Sequence, residues 1–143
     1  MARAWQNRHL ADMQQSYSRR MTRECERVGG INLGQGVCDL PTPPEILVAT
    51  SAAIQEDRSI YSSFEGRPEL RAQIARKLAT YNGLEVDPAT ELVVTVGSAG
   101  AFACTCQALL NSGDEVIVFE PFYGYHVNTL RGLGLVPVFV PLA

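Results

Sequence analysis

The run Val94-Thr95-Val96-Gly97-Ser98-Ala99-Gly100-Ala101 reads as a strand, a glycine turn and the start of a helix. Such a turn has chemistry available to it. The first N–H groups of a helix have no partner inside the helix and carry the positive end of its dipole. They favour an anion, and a phosphate above all. Glycine lets that group approach the backbone closely, and the Ser98 hydroxyl adds a donor. On spacing alone, a plain strand–helix turn that uses glycine for its geometry is an equally good reading. Further on, Glu120-Pro121-Phe122-Tyr123-Gly124-Tyr125 places aromatic rings just after an apolar run. An aromatic at the carboxyl edge of a sheet can stack on a planar heteroaromatic ring. Core packing is the commoner role for a lone Phe or Tyr.

The other reactive groups are less suggestive. Cys25, Cys38, Cys104 and Cys106 form no C-x-x-C pair. Cys104 and Cys106 are two apart on a predicted helix and face away from each other. They read as free thiols in a reducing compartment, not as a zinc site or a disulfide framework. His9 and His126 have no carboxylate at a telling distance and read as surface or packing residues. The single lysine, Lys77, lies beside the apolar stripe Leu70, Ile74, Leu78 and Tyr81. Its ammonium is predicted to face solvent over a packed stem.

The elements that must position these groups follow from periodicity. Residues 1–15 show no strong pattern and read as an arm. Ser16 to Arg27 reads as a helix with Tyr17, Met21, Cys25 and Val28 on one face, stopped by Gly29-Gly30. Ile31 to Leu33 is a candidate short strand before the turn Gly34-Gln35-Gly36. Thr42 is the expected N-cap of a helix that runs to about Glu56, with proline in its first turn and Glu45 three after the cap. Pro68 opens a further helix that Asn82-Gly83 ends. Then strand and helix alternate. Glu91–Val96 is a predicted strand and 98–111 a helix. Val116–Phe119 is a strand of the kind buried on both faces, 124–132 a helix and Leu135–Val140 a strand. This βαβαβ order predicts an α/β fold, a parallel sheet covered by helices.

The chain has 143 residues, 46% hydrophobic and 19% charged, with a net charge of −3. That is ordinary for a globular protein and argues against nucleic acid as a partner. No apolar run is long enough for a secretory signal or a membrane span. The Arg-rich start contains Asp12, Glu24 and Glu26 and no long Ser-rich stretch, which argues against a transit peptide. The expected location is the cytoplasm. The sequence stops at Val140-Pro141-Leu142-Ala143, directly after a buried-type strand. Three parallel strands with an open flank make a poor stand-alone domain, so the chain reads as the beginning of a longer one.

Taken in order, several blocks resemble the class I/II aminotransferase family, which depends on pyridoxal 5'-phosphate (PLP). Ile31-Asn32-Leu33-Gly34-Gln35-Gly36-Val37-Cys38-Asp39-Leu40-Pro41-Thr42-Pro43 is similar to its N-terminal signature. Tyr61 through Gly66, with Pro68-Glu69-Leu70-Arg71, resembles its tyrosine–glycine–ELR block. Thr95–Ala101 resembles its phosphate loop, and Gly113-Asp114-Glu115-Val116 and Glu120-Pro121-Phe122-Tyr123 follow at its spacing. The resemblance runs from about residue 16 to the end. It implies an aspartate-aminotransferase-like fold, with 1–41 as the arm and small-domain segment and 42–143 as the start of the PLP-binding large domain. It implies that Ser98, Ala99 and Gly100 hold the PLP phosphate and that Tyr123 stacks on the pyridine ring. Tyr61 would reach the phosphate in a neighbouring subunit, so the intact protein would be a homodimer embraced by the arm. Gly36 would lie near the substrate carboxylate. The implied reaction moves an amino group between an amino acid and a 2-oxo acid.

The match has departures. Cys38 stands where the family usually has proline, and Ala99 is small where many members carry a larger side chain. Tyr123 in place of tryptophan leans toward the kynurenine/glutamine or succinyldiaminopimelate branches and away from the aspartate branch. PLP chemistry also needs a lysine to bind the cofactor and move a proton, a carboxylate on the pyridine nitrogen, and an arginine for the substrate carboxylate. In the family all three lie downstream of the region present here, and Lys77 matches no such position. The expectation is therefore a chain that binds PLP weakly, does not turn over by itself, and aggregates.

Other readings stay open. A β-lyase or a cyclopropane-forming synthase of the same family would use the same blocks. A non-catalytic interaction fragment is also compatible. A dinucleotide-binding half is weaker: Gly97, Gly100 and Glu120 mimic it, but the first glycine pair of G-x-G-x-x-G is missing.

Overall fold

The computed structural model describes residues 8–10, 13, 16–36, 38–56, 58 and 60–142. They form five α-helices and two strands: α1 (Tyr17–Arg27), α2 (Pro44–Gln55), α3 (Pro68–Lys77), α4 (Gly97–Leu109), β1 (Glu115–Glu120), α5 (Gly124–Gly132) and β2 (Val136–Pro141). A short 3-10 turn, Arg8–Leu10, precedes them. The chain divides into two compact units, Met1–Gly36 with Val96–Ala143, and Val37–Thr95.

The first unit holds the core. β1 and β2 pair in parallel with Glu115 opposite Val136 and Glu120 opposite Pro141. Cys106 of α4, Val118 of β1, Val127 and Leu130 of α5 and Leu135 are buried together. Strand side chains alternate faces, so Val116 and Val118 meet this core while Ile117 and Phe119 point the other way. Those two are 64% and 59% exposed, which corrects the expectation of a strand buried on both faces.

The link from α5 to β2 is a Schellman turn. Gly134 takes a left-handed φ of 75°, its N–H donates to the Arg131 carbonyl, and the Leu135 N–H donates to the Leu130 carbonyl. The motif brings Leu130 against Leu135, and both are in the core. At the other end of the unit, Ser16 caps α1 by accepting from the Arg19 N–H at 3.4 Å.

The arm was expected to reach a neighbouring subunit. Its described part, Arg8–Leu10, packs on α5 of its own chain, with Leu10 Cδ2 3.0 Å from where a side chain at Gly132 would begin. The rest of the expected arm lies largely outside the described residues.

The second unit has no fully buried residue among those described. Pro43, not Thr42, is the N-cap of α2, and no side chain caps that helix. Two consecutive prolines explain this: the ring fixes φ, and Pro44 supplies the first helical position, where an N–H would go unused. The Pro43 carbonyl takes the first helical bonds from Ile46 and Leu47. α3 continues into a wider π-type turn, Leu78–Asn82, that ends at left-handed Gly83. Of its expected stripe, Ile74 and Leu78 are half-buried, while Leu70 and Tyr81 are exposed.

Two predicted strands do not form. Residues 31–33 are irregular, and 91–96 joins no ladder. The sheet therefore has two strands where three were expected. A strand exists through its neighbour's hydrogen bonds. In 91–96 the Val94 N–H donates to the Glu65 carbonyl of a loop at 2.9 Å instead. Gly66 fits that contact because a Cβ there would lie 2.5 Å from Val94 Cγ2.

Candidate functional site

α4 opens on a glycine turn. Gly97 turns the chain with a φ of 65°, and nothing lies within 4 Å of where its side chain would be. Ser98 and Ala99 are exposed, no side chain caps the helix, and its first turn carries no acid. The Gly100 N–H donates to the Val96 carbonyl at 3.2 Å. Gly100 thus spends its backbone donor on the helix, and the first-turn N–H groups and hydroxyl at Ser98 and Ala99 carry the capacity for an anion.

Tyr123 is tied to this helix through two rings that spacing did not single out. Phe102 stands one turn after Ser98 on α4. It stacks on His126 with centroids 4.3 Å apart, and His126 meets Tyr123 edge-on at 5.3 Å. His126 is one turn into α5, three residues after Tyr123, and that i,i+3 spacing was legible. Its contact with Phe102 was not, because the two belong to different helices. His126 was taken as a surface or packing residue, and here it packs between Phe102 and Tyr123. The three rings border a pocket of about 290 Å³ with Val118 and Phe119.

Tyr123 is 56% exposed and also borders a second cleft, of about 510 Å³. Its other walls are the start of α1 and the loop Gly34-Gln35-Gly36. The structure thus brings Gly36 and Tyr123 to one cleft, and links Tyr123 to the helix that begins with Ser98, Ala99 and Gly100. Tyr61 belongs to the other unit, where it is fully exposed.

This donor set fits the PLP group. A helix start without acid suits its phosphate, and an accessible tyrosine ring suits its pyridine. Nothing comparable surrounds Lys77, whose Nζ donates to Asn82 Oδ1 at 2.6 Å and sits 4.7 Å from the Tyr81 ring centroid. Among the described residues no group of His, Cys, Asp and Glu is arranged to hold a metal ion, and no helix is long and apolar enough to cross a membrane. Cys38 and Cys104 are exposed and Cys106 is buried, and burial raises the Cys106 thiol pKa. Arg71, from the tyrosine–glycine–ELR block, works inside its own unit: its Nη1 donates to the Pro88 and Ala89 carbonyls at 2.7 and 3.1 Å.

The chain resembles known proteins over most of its length. Residues 28–143 match the family model described as aminotransferase class I and II. A probable N-succinyldiaminopimelate aminotransferase of Mycobacterium tuberculosis is 38% identical over 116 residues, 81% of this chain and 29% of the relative. The aspartate aminotransferase of Geobacillus stearothermophilus is also 38% identical, over 77% of this chain and 28% of its own length. Equal identity to the two does not separate the branches that Tyr123 was taken to distinguish. The solved structure of N-succinyldiaminopimelate aminotransferase from Mycobacterium tuberculosis superposes with a TM-score of 0.88 at 33% identity, covering 96% of this chain and 36% of that one. The chain thus spans less than a third of the length of these curated relatives.

Proposed function

This chain belongs to the aminotransferase class I and II family, and we propose on that premise that it supplies part of a PLP site in an enzyme moving an amino group between an amino acid and a 2-oxo acid. The observation that carries the reading is the linked set Ser98–Phe102–His126–Tyr123, which joins a helix start without an acid in its first turn to an accessible ring. Bound PLP supplies an electron sink for chemistry at the substrate's α-carbon. The chain's own residues do the binding. Ser98 and Ala99 donate to the phosphate from the start of α4. Gly100 keeps that helix start narrow and holds its first bond to Val96. Tyr123 covers one face of the pyridine ring, held edge-on by His126. Gly36, across the cleft from Tyr123, lets the substrate carboxylate approach the backbone.

The reading extends to the whole protein as a cytoplasmic homodimer, in which Tyr61 reaches the phosphate bound by the partner and residues 42–143 begin the PLP-binding domain. By itself the chain binds without turning over, because the lysine that the family's chemistry needs is absent: Lys77, the single lysine, matches no such position. Equilibrium dialysis with PLP tests the site. Tyr123→Ala removes a stacking contact worth about 0.5–1.5 kcal/mol and so weakens binding by roughly 2- to 13-fold, whereas Tyr123→Phe keeps it. Equal affinity for all three proteins would remove Tyr123 from the site.

A further inference from the structure

Two consecutive residues of the arm sit on the two glycines at the end of α5 and in its turn. Leu10 Cδ2 comes within 3.0 Å of where a side chain at Gly132 would begin, and His9 Cε1 within 3.6 Å of the same point at Gly134. With no Cβ at either position, the arm lies directly on the backbone. Beside this seat is a cavity of about 580 Å³, which neither Tyr123 nor the start of α4 borders. Its size falls in the range of small-molecule sites, roughly 300–1,000 Å³. The arm contributes His9, Leu10 and Met13 to its lining, and α5 contributes Asn128 and Arg131, one turn apart on the same face, with Val136 at the edge.

The end of a helix ordinarily presents bare carbonyls, which repel an anion. Here they are spent. The Thr129 carbonyl accepts from the Leu133 N–H at 3.0 Å, that of Leu130 from Leu135 at 2.9 Å, that of Arg131 from Gly134 at 3.0 Å, and that of Gly134 from Gly113 at 2.8 Å. The charge that remains is on Arg131. It is exposed and belongs to none of the described ion pairs, Arg27–Glu24, Arg58–Glu56 and Arg67–Glu69. Among the described residues no acid borders the cavity. The Arg131 guanidinium offers a planar fork of N–H donors, and the Asn128 carboxamide and the His9 imidazole add donors from α5 and from the arm. Donors on three side chains suit the three terminal oxygens of a phosphomonoester better than the two of a carboxylate. The rest of the lining is apolar and open to solvent: Met13 is 54% and Val136 45% exposed. A ligand with an apolar body covers them.

We propose that this cavity is a second ligand site, for a small phosphomonoester with an apolar body. Arg131 holds the phosphate, Asn128 and His9 add polar contacts, and Leu10, Met13 and Val136 take the body. The lining comes from both the arm and α5, so the ligand fastens the arm to the helix. This site does not require PLP at Tyr123.

The test is a titration of the 15N-labelled chain, followed by amide shifts, with phenyl phosphate, inorganic phosphate, benzyl alcohol and benzoate in separate experiments. Phenyl phosphate carries both head and body. It is expected to shift the amides of His9, Leu10, Asn128 and Arg131 and to bind more tightly than the other three. Arg131→Gln should weaken it about tenfold or more, the worth of a hydrogen bond to a charged group, while Arg131→Lys keeps part of the affinity. His9→Ala should weaken it too, and that change lies in the arm, outside the buried core, so a loss there is not a loss of fold. Bound phenyl phosphate should also slow exchange of the Met13 amide, which donates to the Leu10 carbonyl at 3.1 Å. No saturable binding, shifts confined to other residues, or an affinity that Arg131→Gln leaves unchanged would each overturn the proposal. So would inorganic phosphate or benzyl alcohol binding as tightly as phenyl phosphate, or benzoate binding more tightly. Shifts at Ser98, Ala99 and Tyr123 report the PLP site instead, and their presence without shifts in the arm and α5 sinks this proposal alone.

Discussion

Replacing Gly134 by alanine tests the turn that joins α5 to β2. Gly134 sits at a φ of 75°, where an L side chain costs about 1–2 kcal/mol. An alanine Cβ would also lie 2.6 Å from Ser112 Oγ and 3.4 Å from Ser112 Cβ. The Ser112 hydroxyl has to rotate away and gives up its 3.4 Å bond to the Gly134 carbonyl. That bond is long, so its loss adds at most about 0.5 kcal/mol. The sum is roughly 2 kcal/mol, which falls on the Leu135 N–H to Leu130 carbonyl bond of 2.9 Å that the turn holds closed. Amide hydrogen exchange at Leu135 reads this directly: roughly 2 kcal/mol corresponds to about a thirtyfold loss of protection. Gly134→Asn should lose less, since asparagine tolerates the left-handed region. Adding Ser112→Ala to Gly134→Ala should recover the steric part and leave the backbone part. Unchanged protection in Gly134→Ala, or a larger loss in the asparagine variant, would refute the reasoning.

Three further outcomes are expected. Iodoacetamide should label Cys38 and Cys104 well before Cys106, because burial raises the Cys106 thiol pKa and shields the sulfur, and mass spectrometry of timed samples would show the order. The Asp87 carboxyl accepts from the Ala89 N–H at 2.9 Å and the Thr90 hydroxyl at 2.7 Å, and these bonds, the backbone one first, hold its pKa below the ordinary value. Its contribution to folding is therefore present above the unfolded pKa and fades as pH falls through the folded one; a carboxyl-carbon NMR titration should give a depressed midpoint that Thr90→Ala raises. The exposed Ile117 and Phe119 should make the chain self-associate, and Ile117→Glu should increase the monomer fraction seen by light scattering on a sizing column.

Much of the element order was legible because it is local. Pro68 and Gly83 bracket a helix through ring geometry and left-handed backbone, and α5 and β2 follow from periodicity. What failed depends on distant partners. Residues 91–96 have the composition of a strand, yet Val94 bonds to the Glu65 loop. Ile117 has the composition of an interior residue and is exposed. Thr42 is a good cap by type, but a proline that follows it takes the capping position. The site divides in the same way. The glycine turn at the start of α4 and the ring at Tyr123 could be named from short motifs. The pairing of His126 with Phe102, and the meeting of Gly36 with Tyr123 around one cleft, come from segments far apart in the chain.

The most direct test of the PLP site uses pyridoxine 5'-phosphate, which lacks the aldehyde and so cannot react with Lys77. Titrated into the 15N-labelled chain, it should move the amides of Ser98 and Ala99 and the ring resonances of Tyr123 together, with one dissociation constant that Ser98→Ala and Tyr123→Ala both raise. Shifts confined to residues outside the start of α4 and Tyr123, or affinities indifferent to both substitutions, would contradict the account.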